Sequence, residues 1–190
     1  MGLGNKMFNY ASLYGLAHIN HRRPIIENST SNGCATLHDY FMLTIPRTDP
    51  DPAGKPIRFK EVHNQKCCTV DKTMFKLPKD QNVLLTGYLQ SFHYFAPHFH
   101  DLRQSEFQFR PHIKEHCDQR IRSVLSLRSG RITPCNLVAV HIRRGDFTTE
   151  LSVRFGHAAA EANYLDKAVK WYRNRLVRQR NPAAKNTIFI

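Results

Sequence analysis

Cysteine is sparse and badly placed for the usual cysteine chemistry. The five residues, at positions 34, 67, 68, 117 and 135, include no Cys-x-x-Cys pair, which removes zinc ribbons and thioredoxin-like motifs. An odd count without dense spacing fits either a cytosolic protein or part of a secretory one. Long apolar runs are missing too: nothing approaches the ~20 consecutive residues that a bilayer-spanning helix needs. The opening MGLGNKMFNYASLYGLA lacks the basic start and long apolar core of a secretory signal. Gly2 follows Met1, but Lys6 stands where N-myristoylation requires Ser or Thr. No internal repeat and no low-complexity segment is present.

Acid is the other scarcity. Fifteen Asp and Glu face 28 Lys and Arg across 190 residues, for a net charge of +13. That balance favours anionic partners: nucleic acid, acidic membrane, sulfated sugar or a phosphorylated ligand. Apolar residues nevertheless make up 41% and aromatics 11%, enough for a packed core and against wholesale disorder. One sequon, Asn28-Ser29-Thr30, makes Asn28 a glycosylation candidate if the chain enters the secretory route.

Along the chain, Met7, Tyr10, Ala11, Tyr14 and Ala17 fall on one face of a helix expected over 6–19. Asn5 precedes it as N-cap, its side chain accepting from the free first-turn amides. Residues 44–60, with four prolines and two Asp-Pro junctions, read as loop. NVLLTGY (82–88) reads as a strand. Pro111 opens a helix with Ile113, Cys117, Ile121, Val124 and Leu125 inward. SLRSGRITPC (126–135) reads as punctuation between two units, with the boundary near residue 131.

The last sixty residues or so hold the clearest pattern. NLVAVHI is an apolar, β-branched run of the kind buried on both faces of a parallel sheet. Leu165, Ala168, Val169, Tyr172 and Leu176 form a helical stripe, and NTIFI is a second apolar strand. Strand, loop, helix and strand make a βαβ unit, so the two strands should pair in parallel. The sequence stops at that second strand, which is read as truncation of a larger domain.

HIRRGDF (141–147) leaves the first of these strands with two adjacent permanent cations. Ligands of open α/β sheets sit outside the carboxyl ends of the strands, where Arg143 and Arg144 lie. A guanidinium is a planar fork of donors that matches phosphate oxygens bidentately. Gly145 permits a tight turn, and Asp146 can orient one arginine or act on a substrate proton. The alternative is a strand end capped by a surface salt bridge.

VAVHIRRGDF resembles the His-x-Arg-Arg-Gly-Asp motif of the α1,2- and α1,6-fucosyltransferase superfamily. LGNKMFNYA (3–11) resembles the Leu-Gly-Asn-Gln-Met-Phe-x-Tyr-Ala signature of the α1,2 branch, with Lys6 replacing Gln. GYLQSFHYF (87–95) resembles its Gly-Tyr-x-Gln-Ser-x-x-Tyr-Phe segment, and NYLDKAVKWYRNR (163–175) fits the helix after the arginine motif. The resemblance implies an α/β, GT-B-like architecture of two facing Rossmann-like parallel-sheet units. Residues 1–131 would be the N-terminal unit without its first strand, and 132–190 the start of a truncated GDP-fucose-binding unit.

The resemblance further implies an inverting transfer of L-fucose from GDP-fucose to the 2-hydroxyl of a galactose-terminated glycan. His141, Arg143, Arg144 and Gly145 would bind the donor diphosphate, with Arg143 and Asp146 as catalytic residues. The arginines would neutralise the diphosphate in place of a metal, and no cofactor is implied beyond the co-substrate. Asp146, beside two guanidiniums, should have a depressed pKa that makes it a poor base and a good orienter. Gly4 and Asn5 would approach the donor or the acceptor, with Asn5 also capping its helix. Family members are typically anchored in the Golgi membrane with the catalytic part in the lumen. Membrane contact would then run through an anchor that this sequence does not contain.

Three further features carry weaker readings. HIKEH (112–116) matches the inverted zinc-peptidase pattern and would place His112 and His116 on one helix face. HYFAPHFH (93–100) reads as packed aromatic surface. The basic residues Lys167, Lys170, Arg173, Arg175, Arg178 and Arg180 read as a solvated helix face and imply no nucleic-acid partner. The competing class is a basic, non-catalytic module that holds nucleic acid or sulfated glycan.

Overall fold

The first helix, α1 (Leu3–Ile19), begins three residues before the expected start. Gly2, in an extended conformation, is the N-cap, and no side chain caps the helix. Asn5 therefore sits inside the first turn and is not the cap. The amides of a first turn have no intrahelical partner in any case, so Gly4 and Asn5 join the helix without losing a hydrogen bond. Tyr10, Ala11 and Ala17 of the expected face are buried, Met7 and Tyr14 half-buried, and Ser12, Gly15 and Leu16 widen the buried stripe.

The structure, a computed structural model, describes residues 2–27, 33–48, 58–126, 135–179 and 186–190. It divides into two compact units, residues 1–119 and 120–190. The boundary expected near residue 131 lies outside the described residues, as does most of the 126–135 punctuation. So does Asn28.

In the first unit, β1 (Ile26–Glu27) pairs in parallel with β2 (Arg47–Thr48), and β3 (Phe59–Asn64) in parallel with β4 (Asn82–Gly87). The segment 44–60 is thus not all loop: it contributes β2 and the first two residues of β3, and 49–57 lie outside the described residues. The strand read at 82–88 is β4. A one-turn helix, α2 (Phe99–Asp101), runs into a π-helical turn, Leu102–Glu106. The core gathers Tyr10, Leu16, Leu37, Phe41, Met74, Tyr94 and Leu102, all at most 2% exposed.

Polar atoms inside this core are satisfied in pairs. The buried Glu106 carboxylate accepts from the Tyr10 hydroxyl, from Thr44 N (2.8 Å) and from Thr44 Oγ1 (2.6 Å). Burial, with Glu106 beside it, pushes the Tyr10 phenol pKa up. Tyr94 Oη accepts from Asn64 Nδ2 (3.0 Å) and Asp71 N (2.7 Å). Asn64 in turn fixes the end of β4, accepting from Tyr88 N at its carbonyl (3.2 Å) and from Leu89 N at Oδ1 (3.3 Å). Gly87 takes φ +94°, and a Cβ there would stand 2.2 Å from the Asn64 carbonyl oxygen. Only glycine fits.

The division between units falls within α3 (Pro111–Ser126). The expected inward stripe of α3 is corrected by its exposure. Ile113, Ile121 and Leu125 are half-buried, while Cys117 and Val124 are exposed.

In the second unit β5 (Asn136–Val138) pairs in parallel with β6 (Thr187–Phe189), as the βαβ pattern requires. Val140 N then donates to the Ile190 carbonyl at 2.6 Å, so the ladder runs two residues past the strand. Two flanking helices follow β5 along the chain, α4 (Glu150–Arg154) and α5 (Ala162–Arg178). Burial of β5 on both faces is not observed: Leu137 is 40% exposed. Leu165, Val169 and Leu176 of the α5 stripe are half-buried, whereas Ala168 and Tyr172 are exposed. The architecture is mixed α/β with small parallel sheets.

Candidate functional site

The arginine loop leaves β5 at its carboxyl end and is folded by its own neighbours. Gly145 adopts φ +49°, opening a 3-10 turn over Gly145–Thr148. Phe147 N donates to the Arg144 carbonyl at 2.8 Å, and Thr148 Oγ1 to the Gly145 carbonyl at 2.8 Å. Thr149 then closes the turn, its hydroxyl donating to the Asp146 carbonyl (2.9 Å). The same hydroxyl accepts from Ser152 N (3.3 Å) as the N-cap of α4.

This turn brings Arg143 and Asp146 together. Arg143 Nη2 donates to Asp146 Oδ2 at 2.8 Å, and both side chains are more than half exposed. The Arg143 guanidinium also lies 4.2 Å from the centre of the Phe147 ring. Phe147 stacks on His157 at 4.5 Å. One edge of the guanidinium is thus held by a carboxylate and one face by a ring, which leaves its other donors for a ligand. The hydrogen bond from Arg143, then its charge, holds the Asp146 carboxyl below the usual carboxylate range. His141 and Arg144 are exposed on the same loop, and no described carboxylate forms an ion pair with Arg144. The loop offers a cluster of positive charge with an oriented fork at its centre.

Gly4 and Asn5 belong to the other unit, in the first turn of α1, both exposed. A Cβ on Gly4 would meet no described atom within 4 Å. Lys6 points elsewhere, its Nζ donating to Thr36 Oγ1 at 2.9 Å. The third matched stretch forms the turn beyond β4: Tyr88 is 50% exposed, and Leu89 is held at φ +49°. The aromatic run 92–99 is partly core, with Tyr94 and Phe95 buried. Phe92 meets Phe95 and Phe99 edge to face.

His112 and His116 are exposed on α3, and no described cluster of three or more His, Cys, Asp or Glu is placed to hold a metal. The sequence does contain one Asp-x-Asp triplet, Asp49-Pro50-Asp51, a carboxylate pair of the type that holds hard cations. It lies outside the described residues.

Phe147 and His157 were not singled out by sequence reasoning. Phe147 directly follows the arginine motif, which was the available signal. His157, ten positions beyond Phe147, gave none.

The family model described as "Glycosyl transferase family 11" matches residues 1–180. Galactoside alpha-(1,2)-fucosyltransferase 1 of Rattus norvegicus is 30% identical over 173 residues, covering 90% of this chain and 43% of the relative. Galactoside alpha-(1,2)-fucosyltransferase 2 of Hylobates lar is 30% identical over 173 residues, covering 91% and 47%. The chain thus spans a little under half the length of these relatives. No solved structure matches. No described helix is long and apolar enough to cross a membrane. The arginine loop, the α1 start and the turn beyond β4 all fall inside the matched span, and the chain belongs to glycosyl transferase family 11.

Proposed function

We propose that the protein transfers L-fucose from GDP-fucose to the 2-hydroxyl of a galactoside with inversion, in the Golgi lumen, on a GT-B-like fold. The observation that carries this reading is the Arg143–Asp146 pair at 2.8 Å with Phe147 under the guanidinium. An arginine fixed in advance needs no reorganisation when charge develops in front of it.

In the transfer the bond from fucose C1 to the diphosphate breaks as the galactose O2 bonds to C1. The diphosphate leaves with added negative charge, and the acceptor hydroxyl, as it bonds to C1, gives its proton to water. Arg143 and Arg144 face that charge, so they bind the transition state more strongly than the ground state. Losing one such donor costs about 10²–10³ in rate. Asp146 gives its hydrogen-bonding capacity to Arg143, and its depressed pKa suits orientation better than proton abstraction. Asp146→Asn should therefore weaken donor binding more than it removes an acidic limb from the pH–rate profile. Gly4 and Asn5 are assigned to the donor or the acceptor. The arginines are assigned to diphosphate neutralisation without a metal.

The second reading, a polyanion-binding module, is supported by α5, where Lys167, Lys170, Arg173, Arg175 and Arg178 are all exposed. Incubation with GDP-fucose and a panel of β-galactosides separates the two. Fucosylated product with a new linkage to galactose O2 supports transfer. Absence of product with every galactoside, together with tight salt-dependent RNA binding, would favour the module.

A further inference from the structure

Cys67 and Cys68 are adjacent on the turn that follows β3, and both are exposed and free. Cys68 takes φ +63°, a left-handed conformation that a residue with a Cβ adopts only at a cost. The neighbouring Cys68 thiol pushes the Cys67 pKa up. Cys67 Sγ donates to Gln90 Oε1, at 3.9 Å. Gln90 lies just past the turn at Gly87 and Leu89, both of which have positive φ. The proposed transfer uses neither thiol.

We propose that Cys67 and Cys68 form a reversible dithiol–disulfide site whose co-reactant is a small-molecule disulfide. One thiolate attacks that disulfide and expels a thiolate. The neighbouring thiolate then attacks the resulting mixed disulfide and expels the second. One sulfur–sulfur bond is made and one broken. Two electrons pass from the protein to the reagent, and the two thiol protons leave with the two released thiols.

Adjacency makes the second step intramolecular at high effective concentration. It also strains the product. Consecutive Cα atoms are about 3.8 Å apart, against roughly 4.4–6.8 Å for an ordinary disulfide. Strained disulfides are the easily reduced, labile ones, so the site should reopen under mild thiol. Closure removes the proton that Cys67 gives to Gln90, so the state of the pair is passed to the turn beyond β4. Cys34 is a poorer competitor because it is half-buried, whereas Cys67 and Cys68 are exposed.

The test treats the whole chain with oxidised glutathione, alkylates it and maps its peptides. The peptide holding residues 67 and 68 should be unalkylated and lighter by two hydrogens, and mild reduction should restore both alkylation sites. The Gln90 side-chain amide signal should shift on oxidation in the parent and stay still in Cys67→Ser. In the reduced chain, phenylarsine oxide should bind one per chain. Either Cys67→Ser or Cys68→Ser should weaken that binding by about 10²–10⁴-fold, the gain lost with one arm of a chelate. Alkylation of both thiols after oxidation, a retained glutathione adduct, or a bond from either residue to Cys117 or Cys135 would overturn the site. An unmoved Gln90 signal would overturn its link to the turn.

Discussion

The two units hold their side chains by different means. In residues 1–119 the turn beyond β4 is fixed by atoms far away in sequence: Asn64 on Leu89, Tyr94 on Asn64, Ser12 on the Leu89 carbonyl. In residues 120–190 Thr187 is the single buried residue among those described, while Leu151, Val153 and Phe155 are each more than half exposed. The arginine loop is instead held by partners three, four and ten positions apart: Asp146 on Arg143, Phe147 under Arg143, His157 on Phe147. Packing sets the geometry of the first unit, and short-range charge and ring contacts set that of the second. Substitutions in the first should therefore show in stability, and those in the arginine loop in chemistry alone.

The largest expected effect is in the core. Tyr94→Ala removes a fully buried ring and orphans Asn64 Nδ2 and Asp71 N, and should cost about 3–5 kcal/mol in urea unfolding. Leu165→Ala, half-buried on α5, should cost less than about 1.5 kcal/mol. Equal losses at the two sites would break the comparison.

Glu106→Ala should come next. It leaves the buried Tyr10 hydroxyl without its acceptor, at about 1–3 kcal/mol, while Thr44, an exposed residue, loses two bonds that water can replace. Unfolding midpoints measured beside Glu106→Gln, which keeps one acceptor oxygen, would show how much of the loss is acceptor and how much is charge.

Phe147→Leu should be smaller and of another kind. An exposed cation–π contact is worth about 0.5–1 kcal/mol, so the transfer rate should fall about two- to fivefold with the melting temperature unchanged. A change in melting without a change in rate would show the ring to be structural.

The smallest effect is a titration. Arg143 holds the Asp146 pKa below its ordinary value, so the pair persists as the pH falls through the usual carboxylate range. It is lost only below, at the depressed pKa. The contribution of the pair is fully present above the unfolded-state pKa and disappears as acid protonates Asp146. Carbon-13 NMR should show the Asp146 carboxyl titrating low in the parent and closer to its ordinary value in Arg143→Ala.

What was legible in the sequence follows the same division. The α1 face, the β4 strand and the parallel pairing of β5 with β6 were readable because each depends on a periodicity or a chain-order rule. The start of α1 was not, since a first turn has no intrahelical hydrogen bonds to lose and Gly2 holds the N-cap position without a side-chain bond. Burial of β5 and α3 was not readable either: an apolar run says what a strand or helix offers, and exposure depends on what packs against it. Of the site, Arg143 and Asp146 were legible because residues three apart can meet within one turn. His157 was invisible because nothing in its spacing points to Phe147. The adjacency of Cys67 and Cys68 is visible in the sequence, whereas the hydrogen bond from Cys67 to Gln90 is not, because it joins positions far apart along the chain.

The most direct test of the account is the rate of the proposed fucose transfer by Arg143→Lys, measured beside its melting temperature. Lysine keeps the charge and loses the fork that Asp146 and Phe147 hold in place. The account predicts a fall of about 10²–10³ in rate with the melting temperature unmoved. An Arg143→Lys enzyme that turns over as fast as the parent would contradict it.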